Sequence, residues 1–394
     1  MNDDATADGL YSPPPPLAGG PAVIGETIAG RWSVSGIRRG GQAWVLTADD
    51  VARGERRAIK VPLSGALAGD AELAMLFGLE PHPHIVSALD EVMVGDRRGI
   101  VFEFLPSTLA DLLGRLHADP TATHASPLHG TVADMLQQVC SAMAHLSKRT
   151  ETAHLDLKPS NVLIDGTGNA KVADFGLSKQ IEIRDGRFPS AHGGTWAYAA
   201  PEVLRQERCD TRADIYSFGI LLYEACTGKL PYPFPLAPDP IRQRAQLLEY
   251  HTSQGPRRRC VELYWWGQSH LTQVPVAPPS EAVAIILSSC LQELREKRSQ
   301  SFSDLAATVQ AGFQQTLVRT SPAPLSEPDR QRRELALSRA LFRLGRFNEA
   351  VNHLNRLLAA PLPLDLFLGA RQTALDSLNA AGRRTEADVL KEWT

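Results

Sequence analysis

Two short stretches set the tightest limits on what this chain can become: His154-Leu155-Asp156-Leu157-Lys158-Pro159-Ser160-Asn161-Val162-Leu163 and, shortly after, Asp174-Phe175-Gly176. Within them Asp156 offers a carboxylate that can accept a proton, and Lys158 a nearby cation. Asn161 and Asp174 supply an amide and a second carboxylate, the oxygen donors that suit magnesium. Transfer of a phosphoryl group leaves little covalent work to a protein, which must orient a hydroxyl and hold charge against the phosphates. Two loops at this spacing allow all four side chains to converge on one cleft.

The 394 residues suit two domains, or three, with ample apolar content for a large core. A net charge of −3 points away from nucleic acid and from a membrane surface. Cys140, Cys209, Cys226, Cys260 and Cys290 are scattered, with no pair at metal-ligand spacing, so buried thiols in a reducing compartment are expected. The N-terminus is acidic and then proline-rich, unlike a signal peptide. The apolar runs Phe218–Ala225 and Ala282–Leu287 are about half the roughly 20 residues of a spanning helix, or less, and read as core helices. A cytoplasmic protein is expected.

Residues 1–22, with Pro13–Pro16, are expected to be disordered. Short β-like patterns follow to about Phe104, interrupted by one helical stretch at Ala71–Leu79. Helical spacing then takes over, as in Leu109–Leu116 and Val132–Leu146. Pro322, Pro324 and Pro328 mark a linker at 316–330, and 331–394 reads as helices throughout.

The two opening stretches resemble the catalytic loop and metal-binding loop of eukaryotic-type (Hanks-type) serine/threonine protein kinases, and other motifs fall in that family's order. The resemblance implies an α+β, bilobal fold over 23–315, with a β-rich lobe to about 104 and an α-rich lobe from about 105, using ATP and Mg²⁺ (or Mn²⁺). Ala58-Ile59-Lys60 is similar to the strand lysine that pairs with the phosphates, and Glu72 to its ion-pair partner. The implied catalytic set is Asp156, Lys158, Asn161, Lys60 and Glu72; the metal ligands are Asn161 and Asp174. The implied nucleotide contacts are Gly40, Gly41, Val45, Ala58, Lys60, Glu103, Leu105 and Leu163, with Phe102 behind the adenine. Gly194-Thr195-Trp196-Ala197-Tyr198-Ala199-Ala200-Pro201-Glu202 resembles the end of an activation segment, whose glutamate would pair with Arg298. Asp214 resembles the buried helix aspartate that holds the catalytic loop. Lys158 and Thr195 follow the serine/threonine pattern, so the implied partner is a protein substrate.

Three departures stand out. Of the three family glycines of the phosphate loop, which fall on Arg38, Gly40 and Ala43, one remains, with Gly41 beside it. Arg38 reads equally as a phosphate contact or a solvated side chain. Leu155 replaces the arginine that would bind an activation-segment phosphate, which implies a kinase needing no such phosphate. The stretch Pro231–Ser280 is longer than usual and carries Arg257-Arg258-Arg259 and Trp265-Trp266; a solvated arginine cluster with packed tryptophans is favoured over a docking patch.

In the tail, Leu341-x-x-Leu344-Gly345-Arg346-Phe347-Asn348-Glu349-Ala350 resembles a tetratricopeptide repeat, and Ala380-Ala381-Gly382-Arg383-Arg384-Thr385-Glu386-Ala387 echoes it; a plain helical hairpin is the other reading. Two such units cannot bury their faces alone, so 331–394 is expected to dock on the kinase lobe, on another copy or on a partner protein. Two rival functions remain: a pseudokinase scaffold acting through the tail, and a small-molecule kinase. The complete Ala-Pro-Glu and Asp214 motifs argue against the second.

Overall fold

The computed structural model describes residues 20–41, 43–63, 70–118, 130–150, 153–174, 196–232, 234–252, 281–313 and 324–391. The disorder expected of residues 1–22 falls almost wholly outside them, as do Phe175, Gly176, Thr195, the three arginines and two tryptophans of the long insertion, and most of the linker. The chain divides into two compact units, one of residues 1–67 with 90–104 and one of 68–89 with 105–394. The first is built on a sheet and the second mainly on helices, the α+β division expected from the sequence.

The first unit is built on a six-stranded sheet, in spatial order β1 (Thr27–Ile28), β2 (Trp32–Arg39), β3 (Ala43–Asp50), β4 (Arg56–Pro62), β6 (Arg97–Glu103) and β5 (Ala88–Val94). Alternation drives it: Trp44, Leu46 and Ala48 of β3 are buried while Val45 and Thr47 between them are partly open, the period of a half-buried strand. Trp32, Val34, Leu46, Ile59, Val61, Val94 and Val101 make one core on that face. Arg31 stacks on Trp32, 4.1 Å from its ring, and pairs with Asp50 at 2.7 Å.

The second unit begins with helix α1 (Asp70–Gly78) and continues through a small sheet, β7 (Ser107–Thr108), β8 (Val162–Ile164) and β9 (Ala170–Val172). Around it lie α2 (Leu109–Ala118), α3 (Gly130–Thr150), α4 (Pro201–Leu204), α5 (Arg212–Thr227), α6 (Pro240–Thr252), α7 (Glu281–Cys290) and α8 (Phe302–Phe313). Their apolar stripes meet in one core that includes Leu136, Val139, Ile215, Phe218, Ile286 and Leu305. A hydroxyl residue followed three positions later by aspartate starts several helices. Thr108 and Asp111 cap α2 reciprocally, with N–H to carboxylate at 2.9 Å and N–H to hydroxyl at 3.1 Å. At α8 Asp304 N donates to the Ser301 hydroxyl at 3.1 Å, and that hydroxyl donates to the Asp304 carboxylate at 2.7 Å. Among the described residues no helix is long and apolar enough to cross a membrane.

Four helices end the described chain: α9 (Glu327–Arg343), α10 (Phe347–Leu358), α11 (Leu364–Ala380) and α12 (Arg384–Lys391). α9 starts inside the stretch read as linker. Ser326 caps it, its hydroxyl accepting from Asp329 N at 3.3 Å, and Pro328 sits in the first turn, where a missing N–H costs nothing. The two echoed motifs form the same turn. Gly345 and Gly382 have φ of 74° and 75°, a left-handed conformation that glycine adopts without a Cβ clash. The amides of Arg346 and Arg383 reach back to Leu341 O and Leu378 O at 3.0 and 2.9 Å, closing both helices alike. Ala350 and Ala387 are fully buried, and Val351, Leu354, Ala370 and Leu378 fill the space between the helices.

Candidate active site

The loop from Ala153 to Asn161 is held from below by Asp214, in the first turn of α5 and 1% exposed. Its two carboxylate oxygens accept the main-chain N–H groups of His154 at 2.6 Å and Leu155 at 2.7 Å. Burial pushes this carboxyl up to about 7, against the opposing pull of those two donors. Leu155 is left-handed, φ 62°, a conformation that a residue with a Cβ avoids, so the pair of bonds holds a strained link.

His154 adds a second lock. Its Nε2 lies 2.9 Å from Ala173 O, which can only accept, and its Nδ1 lies 3.2 Å from Asp156 N, which can only donate. The ring is therefore neutral with its proton on Nε2. Ala173 N in turn donates to Asn161 O at 2.8 Å. The residue before Asp174 is thus tied to the loop through both its main-chain groups, a linkage no side-chain letter announces.

On this frame Asp156, Lys158 and Asn161 form one cluster. Lys158 Nζ is 3.0 Å from Asp156 Oδ2. Asn161 Nδ2 donates to Asp156 O at 2.8 Å and to its Oδ2 at 2.9 Å. With its nitrogen committed to Asp156, the amide presents Oδ1 as its ligand atom. Asp174 is exposed, with φ 55°. Leu163, on β8 opposite Thr108 and Lys171, is partly open while Val162 and Ile164 are buried, so it takes the other face of the small sheet. Glu72 lies on α1; its side chain is outside the described residues.

In the first unit, Val45 stands opposite Lys60, Lys60 opposite Ile100, and Ala58 opposite Phe102. Cross-strand partners share a face, so Val45, Ala58, Lys60 and Phe102 line the side of the sheet away from its core. Arg38, opposite Val45, lies on that side too. Gly40 closes the β2–β3 hairpin, donating to Ala43 O at 2.8 Å, and a Cβ there would lie 3.1 Å from the same oxygen. Gly41 follows it in the turn. Glu103, opposite Arg57, ends β6, and Leu105 opens the second unit; both are partly open.

A third feature anchors helix α4, at the end of the stretch that resembles an activation segment. Glu202, which α4 carries, meets Arg298 in a two-pronged pair at 2.6 and 2.8 Å, and Arg298 is 3% exposed. The same guanidinium donates to the carbonyls of Gln292, Arg212 and Glu293 and lies 4.9 Å from the Tyr216 ring. The Tyr216 hydroxyl is 2.5 Å from Nδ1 of buried His251.

Residues 35–309 match the protein kinase domain. Serine/threonine-protein kinase PrkC of Bacillus subtilis is 33% identical over 220 residues, 53% of this chain and 32% of the relative. CBL-interacting protein kinase 4 of Oryza sativa is 35% identical over 252 residues, 60% of this chain and 54% of the relative. Serine/threonine-protein kinase Pkn1 of Myxococcus xanthus is 34% identical over 212 residues, 50% and 28% respectively. The chain thus spans between about a quarter and about a half of the length of these relatives. Among solved structures, Rad53 1-466 in complex with AMP-PNP aligns with a TM-score of 0.51 at 23% identity, covering 70% of this chain and 64% of that one; it shows the fold.

Proposed function

This chain belongs to the protein kinase domain family, and on that premise we propose that it transfers the γ-phosphoryl group of ATP to serine or threonine hydroxyls of protein substrates. The observation that carries the reading is the Asp156–Lys158–Asn161 cluster, held on a strained loop by Asp214. In this reading Asp156 orients the acceptor hydroxyl and takes its proton, and Lys158 steadies the transferring phosphoryl group. Lys60 anchors the α- and β-phosphates, with Glu72 orienting it. Val45, Ala58, Leu163 and the main chain of Glu103 and Leu105 receive the adenine, and Gly40 and Gly41 approach the phosphates. Arg38, on the same sheet face as Lys60, offers a cation where the family has glycine.

The donor set fits a magnesium ion: Asn161 Oδ1 and the Asp174 carboxylate are hard oxygens, too few for an all-protein cage and of the kind that share Mg²⁺ with substrate phosphates. Mn²⁺ takes the same ligands. When bound, the metal supplies neutralisation of the phosphate charge; positioning falls to the protein's own residues.

Leu155 gives the loop no charge-assisted grip on a phosphate, so the proposed enzyme needs none on its activation segment. Changing Ser160, Ser178 and Ser190 together to alanine is expected to keep activity within about threefold, and a collapse refutes this. The tail is read as tetratricopeptide-like, on the strength of its two matching turns. A scaffold with weak catalysis is the alternative, and the worn β2–β3 turn favours it.

Purified chain, γ-radiolabelled ATP, Mg²⁺ and peptide pools with serine, threonine or tyrosine acceptors separate these readings. Label on serine or threonine, cut about 10²- to 10⁴-fold by Asp156→Asn, is the expected result. Label on tyrosine overturns the substrate class; nucleotide binding without transfer leaves the scaffold.

A further inference from the structure

Helix α9 of the tail lies along α1, and two of its arginines bond α1 at opposite ends. Arg343 Nε meets Asp70 Oδ1, in the first turn, at 2.5 Å. Arg333, 7% exposed, donates through Nη2 to Leu76 O at 3.0 Å and to Leu79 O, and through Nη1 to Ala88 O at 2.7 Å. Between them Leu337 covers Gly78, where an added Cβ would lie 3.8 Å from its Cδ1. The carbonyls of a last helical turn have no partner within the helix, so Arg333 acts as the C-terminal cap of α1 from outside. Burial brings its guanidinium down to about 10, which leaves it charged at neutral pH.

α1 has nine residues, too few to be stable in water alone, so its order comes from what packs on it. Just beyond α1 the chain is tied to the metal-loop strand: Val86 N donates to Val172 O and Val172 N to His84 O, both at 2.9 Å. In chain order α1 thus leads from its contacts with the tail into the segment bonded to the strand before Asp174.

We propose that Arg333 and Arg343 are positioning residues for phosphoryl transfer, the tail fixing the helix that bears Glu72. The proposal rests on the kinase reading, in which Glu72 orients Lys60. Release of α1 then weakens nucleotide anchoring and lowers turnover together.

The test uses the full chain with Arg333→Met, Arg343→Glu, and Arg343→Glu combined with Asp70→Arg, which reverses the pair. Amide exchange of residues 70–79, thermal unfolding, kcat and the KM for ATP are measured on each. Arg333→Met is expected to speed exchange of that segment about tenfold or more, with other segments unchanged, and to lower kcat/KM for ATP about tenfold. Both kcat and KM should move, because a partly unfolded sample loses kcat alone. Arg343→Glu should lose about threefold and the reversed pair should recover it. Unchanged exchange and kinetics in the single variants, or a loss that the reversed pair does not return, overturns the proposal. If Arg333→Met does not fold, the Arg343 pair decides. An active parent with indifferent variants sinks the positioning role and leaves the kinase reading intact; an inactive parent sinks that reading, and exchange alone then judges the clamp.

Discussion

Asp214 carries two opposing energies that an asparagine in its place would separate. Its carboxyl, lifted from 3.8 to about 7 by burial, is held ionised at pH 7.5 at a cost of about 4 kcal/mol, taking 1.36 kcal/mol for each tenfold. Asparagine removes that cost. It also turns one acceptor into an NH₂ group, leaving His154 N or Leu155 N facing a donor, which costs about 1–3 kcal/mol. Stability at pH 7.5 should therefore stay level or rise by up to about 3 kcal/mol. Catalysis should go the other way. Leu155 is strained by about 1–3 kcal/mol, and with one of two restraints gone the loop can relax, which empties the competent arrangement by about 10- to 100-fold. The sign with pH follows from the same shift. Between 3.8 and about 7 the folded protein binds the extra proton, so this carboxyl's contribution to stability falls as pH rises through that window. The gain in Asp214→Asn should be largest above pH 7 and gone by about pH 4. Denaturant unfolding across pH, beside initial rates, measures both. Unchanged kcat, or a variant that loses several kcal/mol along with its activity, refutes the reasoning.

Arg298→Met leaves Glu202 buried without its guanidinium and frees three carbonyls, so it should cost about 3–5 kcal/mol in denaturant unfolding; a loss below about 1 kcal/mol would mean the pair is ornamental. His251 is lowered to about 3 by burial, and then by Arg298 and Arg205, so its contribution to stability is present above 6.5 and lost as pH falls towards 3. That trend opposes Asp214's over nearly the same range. Removing the aspartate should expose an acid-side loss of stability, and its disappearance in Asp214→Asn with His251→Gln checks the assignment.

The residues of the proposed chemistry were legible because they are side chains at fixed offsets: Asp156, Lys158, Asn161 and Asp174 are each a letter, and so are Glu202 and Arg298, which the fold does bring together. What stayed hidden runs through the main chain. The left-handed Leu155, the double tether of Ala173 and the carbonyls that Arg333 caps leave no residue-type signature. Arg333 and Ala88 are also 245 residues apart, beyond any local periodicity. Pro328 misled in a different way, since proline is at home both in linkers and in a first helical turn, and only the Ser326 cap decides between them.

The caps on α1 also bear on how portable this tail is. The domain match ends at residue 309, yet a helix starting at Glu327 supplies the bonds that finish a helix of the core. Grafting the tail onto another protein kinase domain would carry over the arginines but not Asp70, and Arg333 would find its carbonyls only where the host helix ends in the same place. Excising it would bare Leu76 O and Ala88 O in their native host. Of these contacts only Arg343 and Asp70 must change in step, because the carbonyls under Arg333 are main chain and tolerate any residue; the segments interlock through one pair of side chains and one set of backbone bonds.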